Sequence, residues 1–141
     1  MDNNTKILII EDNDNDAFII DRAIKKDHPG TLTQRASTMA RAEQILEHEK
    51  VDVVLLDLGL PDTDSPLDTY NHMRKWSSTT PIIVLTHMAD HAAAKSLIHD
   101  GAADFINKGD CGPHQIENAI DFSLERHANQ KHMVDYIQGV Y

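Results

Sequence analysis

Cysteine, positive charge and long apolar runs are all scarce in this chain of 141 residues. Its single cysteine, Cys111, excludes an internal disulfide framework and suits a reducing compartment. No apolar run approaches the ~20 residues that a membrane span needs. The opening residues, Met1 to Thr5, show no cationic run leading into a long apolar stretch, so no signal peptide is expected. Lys and Arg number 13 against 23 Asp and Glu, for a formal charge of −10. That balance argues against nucleic acid or an anionic membrane as the main partner, because both repel it. No repeat, linker or low-complexity segment interrupts residues 5–125. These absences leave an acidic, cytoplasmic single domain, long enough to bury a normal core without staples.

Five short apolar runs stand within it: Lys6–Ile10, Leu32–Ala36, Val51–Asp57, Pro81–Thr86 and Ala103–Asn107. The first, third and fourth are almost continuous Ile, Val and Leu, as expected of strands covered on both faces. Leu32–Ala36 contains Gln34 and Arg35 and reads as an edge strand; Ala103–Asn107 is short and suits the other edge. Helical spacing fills the intervals. Ala17, Ile20 and Ile24 share one face, as do Ala42, Ile45 and Glu49, with Leu46 adjacent. Ala93, Leu97 and Ile98 repeat the pattern, and so do Ile116, Ile120 and Leu124, while Leu67–Trp76 is the least regular interval. Asn13 suits an N-cap with Asp16 at the third helical position, and Pro113 suits the first turn of the last helix. Strand and helix alternate five times, which implies right-handed crossovers and an α/β, doubly wound, five-stranded parallel sheet. The expected order is 2-1-3-4-5, the flavodoxin-like (βα)5 sandwich.

In such a sheet, chemistry gathers at the carboxyl ends of the strands. Glu11 and Asp12 follow the first run, Asp57 ends the third, Thr86 ends the fourth and Lys108 follows the fifth. Three carboxylates in one place need a counter-charge. A hard divalent cation such as Mg²⁺ supplies it, and Lys108 adds a fixed positive charge. A carboxylate beside Mg²⁺ and a lysine is suited to attack phosphorus and form an aspartyl-phosphate.

Four motifs carry a resemblance. Ile-Ile-Glu-Asp-Asn at 9–13, Leu-Leu-Asp-Leu-Gly-Leu-Pro at 55–61, Val-Leu-Thr at 84–86 and Phe-Ile-Asn-Lys at 105–108 look like the response-regulator receiver domain of two-component signalling. The resemblance covers about residues 5–125. It implies that Asp57 is the phospho-acceptor, that Glu11 and Asp12 bind Mg²⁺ with Asp57, and that the Gly59 carbonyl is a further ligand. It also implies that Thr86 follows the phosphoryl group, that Lys108 is its ion-pair partner and that Phe105 is an aromatic switch. The implied donor is a histidine kinase or histidine phosphotransfer protein. The implied output is a changed binding surface on the fourth helix, fifth strand and fifth helix, about Asp90–Asp100, Ala103–Asn107 and Pro113 onward. Its downstream partner is a protein that the sequence does not identify. On this reading the protein is no enzyme beyond assisting its own phosphoryl transfer and hydrolysis.

Three positions depart from the family pattern. Gly109 replaces the usual cis-linked proline after Lys108, so the following loop is expected to move more or to take another path. His87 replaces a small residue after Thr86 and is expected to modulate access to the phosphoryl group. Ser65 stands where glycine is common and suggests altered geometry in the loop after Asp57.

Rival readings fail on particular residues. Asp12–Asp16 begins like a calcium loop, but Ala17 and Ala23 occupy its sixth and twelfth positions instead of Gly and Glu. A haloacid-dehalogenase-type phosphatase needs a second acid two residues after its nucleophile, where Gly59 stands. A flavodoxin phosphate would be repelled by Glu11 and Asp12. The nine histidines show no ligand quartet with matched spacing and read as scattered surface residues. Cys111 has no second cysteine and reads as inert. The alternatives that stay open are a non-phosphorylated binding module of the same fold and a fragment of a hybrid kinase or cyclase. The expected division is a receiver domain at 1–125 and a helical extension or tail at 126–141, and the expected state is a monomer or weak homodimer.

Overall fold

The structure, a computed structural model, describes residues 4–87, 91–110 and 112–139; the side chains of 91, 110 and 131–139 are not described. Asp90 and Cys111, both named above, lie outside the described residues. Five strands alternate with five helices. They are β1 (Lys6–Ile10), α1 (Asp14–Asp27), β2 (Leu32–Ala36), α2 (Met39–His48), β3 (Val53–Asp57), α3 (Pro66–Met73), β4 (Ile82–Thr86), α4 (His91–His99), β5 (Asp104–Asn107) and α5 (Pro113–Gly139). Single 3₁₀ turns cover Arg74–Trp76 and Lys108–Asp110. The sheet is wholly parallel in the order β2-β1-β3-β4-β5, as the alternation implied.

The continuous apolar runs have a direct cause. Alternate residues of each strand face opposite sides of the sheet, and both sides are covered. Leu8, Ile10, Val54, Leu56, Ile82 and Val84 pack with α2, α3 and α4. Ile7, Ile9, Val53, Leu55, Ile83 and Leu85 pack with α1 and α5. Every residue of β3 and β4 is buried, and each fully buried Ile, Leu or Val contributes about 1.5–3 kcal/mol.

Three strands start later than the apolar runs. Pro81 has no N–H for the ladder, although its carbonyl accepts from the Val54 N–H at 3.0 Å. Val51 is buried but precedes the pairing, which is anchored by the Lys6 N–H donating to Asp52 Oδ2 at 2.8 Å. Ala103 likewise precedes β5, its N–H donating to the Ile82 carbonyl at 2.8 Å. The expected face of α2 also needs correction. Glu49 is the exposed C-cap of that helix, and Met39, Ala42 and Ile45 form its buried face. In α4 the buried positions are Ala94 and Leu97, with Ala93 half-buried.

Helix starts follow local chemistry. The Asn13 side chain accepts from the Asp16 N–H at 2.9 Å, as expected of the N-cap. Thr38 and Ser65 cap α2 and α3 in the same way. Ser65 therefore has a structural use: its Oγ accepts from the Asp68 N–H at 3.0 Å, which a glycine cannot do. The last helix continues past Arg126 to Gly139, a span of about 40 Å at 1.5 Å per residue. Among the described residues no helix is long and apolar enough to cross a membrane.

Candidate functional site

Parallel pairing brings the strand ends together. Register aligns Ile10 with Leu56 and Asp57 with Leu85, so Glu11, one residue beyond Ile10, lies beside Asp57. Thr86, the last residue of β4, pairs with Asn107, and Lys108 follows directly. Four of the residues singled out in the sequence thus meet at one edge of the sheet.

Lys108 is their centre. Its Nζ lies 2.6 Å from Glu11 Oε1, 3.3 Å from Asp57 Oδ1 and 3.3 Å from Asp16 Oδ2. The side chains of Lys108, Glu11 and Asp57 are all almost sealed, at 6%, 0% and 8% exposure. Breaking up such a buried cluster is costly, because the group left behind has no water to turn to. Asp16 joins the cluster although the sequence suggested only a helix-start role for it. Its place in the first turn of α1, four residues after Asp12, was the available signal.

The charges are unequal in kind. Burial, and then the neighbouring Asp57, push the Glu11 carboxyl up to about 8. Burial and Asp57 also raise Asp12, which stands exposed at the rim. Burial alone would raise Asp57 too. Hydrogen bonding with Glu11 and Asp12, the Lys108 charge and the Gly59 N–H outweigh it and hold Asp57 below the usual carboxylate range. Burial would lower Lys108, but its carboxylate partners raise it above an ordinary lysine. Asp57 is therefore the carboxyl of the set that most readily gives up its proton. The Gly59 N–H donates to its Oδ1 at 3.2 Å.

Two of the site's buried polar atoms lack a hydrogen-bond partner, Glu11 Oε2 and Thr86 Oγ1. An orphaned buried group of this kind costs about 1–3 kcal/mol. Glu11, Asp12 and Asp57 each bring one carboxylate oxygen to within 4.8 Å of the others. Octahedral Mg²⁺ at 2.0–2.1 Å holds oxygens about 3–4 Å apart, so small side-chain shifts suffice. A hard oxygen set with one unsatisfied member fits Mg²⁺.

The remaining predicted residues lie around this cluster. Phe105 is half-buried on β5 and packs against the core on the α2, α3 and α4 side. His87 is exposed immediately after the buried Thr86. The Lys108–Gly109 peptide is trans, there being no cis bond among the described residues. The chain turns there through Lys108–Asp110, with Asn107 Oδ1 accepting from the Gly109 N–H at 3.0 Å.

The family model of the response regulator receiver domain matches residues 7–121. The chain belongs to that family. The receiver domain is 29% identical over 124 residues to the KDP operon transcriptional regulatory protein KdpE of Escherichia coli K12, covering 88% of this chain and 53% of KdpE. It is 33% identical over 129 residues to the transcriptional regulatory protein BasR of the same organism, covering 89% of this chain and 54% of BasR. The chain thus spans about half the length of these relatives. A CheY-like receiver domain protein from Methanospirillum hungatei JF-1 superposes with a TM-score of 0.76 at 20% identity, covering 90% of this chain and 98% of that one. That likeness confirms the fold.

Proposed function

We propose that this receiver domain is switched by phosphorylation of Asp57. The observation that carries the reading is the sealed contact of Lys108 with Glu11 and Asp57, where Asp57 is the carboxyl of the cluster held below the usual range. The donor is a histidine kinase or a histidine phosphotransfer protein. An Asp57 oxygen forms a bond to phosphorus as the donor's P–N bond breaks, and the electron pair leaves on the imidazole nitrogen. Lys108 stabilises negative charge on the moving group. The orphan Thr86 hydroxyl donates to a phosphoryl oxygen and so gains the partner it lacks. Glu11, Asp12, Asp57 and the Gly59 carbonyl hold Mg²⁺, which when bound neutralises charge on the phosphoryl oxygens. As Thr86 moves, Phe105 repacks, and the face formed by α4, β5 and α5 changes its affinity for a protein partner. A differential affinity of a few kcal/mol is enough for such a shift.

We further assign residues 1–125 to the receiver unit and 126–141 to an extension, in a cytoplasmic monomer or weak homodimer. We assign the switched contact to protein and not to nucleic acid, because the chain carries a charge of −10. The relatives are named transcriptional regulatory proteins, and about half of their length lies outside the match. Incubation with a small phosphodonor and Mg²⁺, read by intact mass, tests the reading. A binding module of the same fold that is not phosphorylated gains no mass.

A further inference from the structure

The histidines of this chain read as scattered along the sequence, but the fold gathers two of them with two acids. Asp27 ends α1 and His28 is its C-cap. His114 and Glu117 lie in the first turns of α5, three residues apart and hence on one helix face. Packing of α1 against α5 brings the two pairs together, although 86 residues separate His28 from His114.

Asp27, His114 and Glu117 each present one ligand atom, and these atoms lie within 4.8 Å of one another. His28 Nε2 lies 2.9 Å from Glu117 Oε1. This is an arrangement of ligands backed by an outer partner: a carboxylate held in place by an imidazole beside it. We propose that Asp27, His114 and Glu117 form a binding site for a borderline divalent cation of the Zn²⁺ type, with His28 orienting Glu117.

The ligand chemistry selects the ion. An imidazole nitrogen with two carboxylates suits Zn²⁺, whereas Mg²⁺ prefers an all-oxygen set. Tetrahedral Zn²⁺ with bonds of 2.0–2.2 Å sets ligand atoms about 3.3–3.6 Å apart. The side chains therefore need to close by no more than about 1.5 Å. Asp27 and His114 are exposed and Glu117 is only half-buried, so they are free to do so. The fourth position is open to water. The site is separate from the Glu11, Asp12 and Asp57 set and does not depend on how that set is used. A bound ion would tie the end of α1 to the start of α5.

The test uses the full chain, stripped with EDTA and then held in saturating Mg²⁺ to fill the acidic pocket. ZnCl₂ is titrated by calorimetry. The expected result is one Zn²⁺ per chain. His114→Ala and Glu117→Gln should each weaken it at least tenfold, and His28→Ala by about tenfold. His72→Ala, on α3, should leave it unchanged. Unfolding curves in EDTA check that the variants fold like the wild type. The proposal is overturned if His114→Ala binds Zn²⁺ as the wild type does, or if the wild type binds none once Mg²⁺ is present.

Discussion

The Lys108 ammonium sits 2.6 Å from the Glu11 carboxylate, joining residues 97 apart in sequence, and the same nitrogen lies 3.3 Å from Asp57. One cation thus binds the end of β1 to the end of β3 from the loop after β5. Lys108→Ala should slow phosphoryl transfer to Asp57 roughly 10²-fold, the usual loss when one electrostatic donor is removed. Single-turnover transfer from a small phosphodonor, followed by intact mass, measures this. A rate within a factor of about two of wild type would show that Lys108 serves the fold alone.

His87 stands exposed against a buried Thr86. If its ring screens the phosphoryl group from water, His87→Ala should speed dephosphorylation severalfold while leaving the fold intact. Decay of the phosphorylated form after donor removal decides it. An unchanged decay rate means that the ring faces solvent with no effect on access.

Asp62 braces a helix from outside it. Its Oδ1 accepts from the Met39 N–H at 2.9 Å and its Oδ2 from the Ala40 N–H at 3.0 Å, at the start of α2. Burial acts to raise this carboxyl, but the two backbone donors win and hold it below its ordinary 3.8. Asp62→Ala should cost about 0.5–1 kcal/mol, the lower part of the N-cap range for an exposed group. Because the folded value is depressed, this stabilisation is present above 3.8 and is lost as pH falls through the folded value. Urea unfolding should show the gap between variant and wild type narrowing on acidification. A gap that persists at low pH would assign the loss to packing.

Gly101, two residues past the end of α4, has a φ of +114°. A Cβ there would meet the Tyr70 hydroxyl at 3.3 Å, and Tyr70 is fully buried. Gly101→Ala should therefore destabilise by more than about 1 kcal/mol, since L-residues resist this conformation. Denaturant midpoints test it, and no change would mean that the turn relaxes at little cost.

The strands and the strand-end site were legible because both rest on short-range signals. Apolar runs covered on both sides mark β1, β3 and β4, and polar Gln34 and Arg35 mark β2 as an edge. Glu11, Asp57, Thr86 and Lys108 each stand at a strand end, so the topology alone assembles them. What could not be read depends on contacts between distant elements. Asp62 capping α2, Asp16 reaching Lys108, and Asp27 meeting His114 all arise from packing angles that no spacing encodes. Glu49 misled because helical periodicity continues past the residue where the helix ends.

The most direct test is intact mass after incubation with a small phosphodonor, with Mg²⁺ or with EDTA, for wild type and Asp57→Asn. The account predicts one added phosphoryl group in wild type with Mg²⁺, little with EDTA, and none in Asp57→Asn. Phosphorylation that survives Asp57→Asn, or a wild type that gains no mass with Mg²⁺, would contradict it.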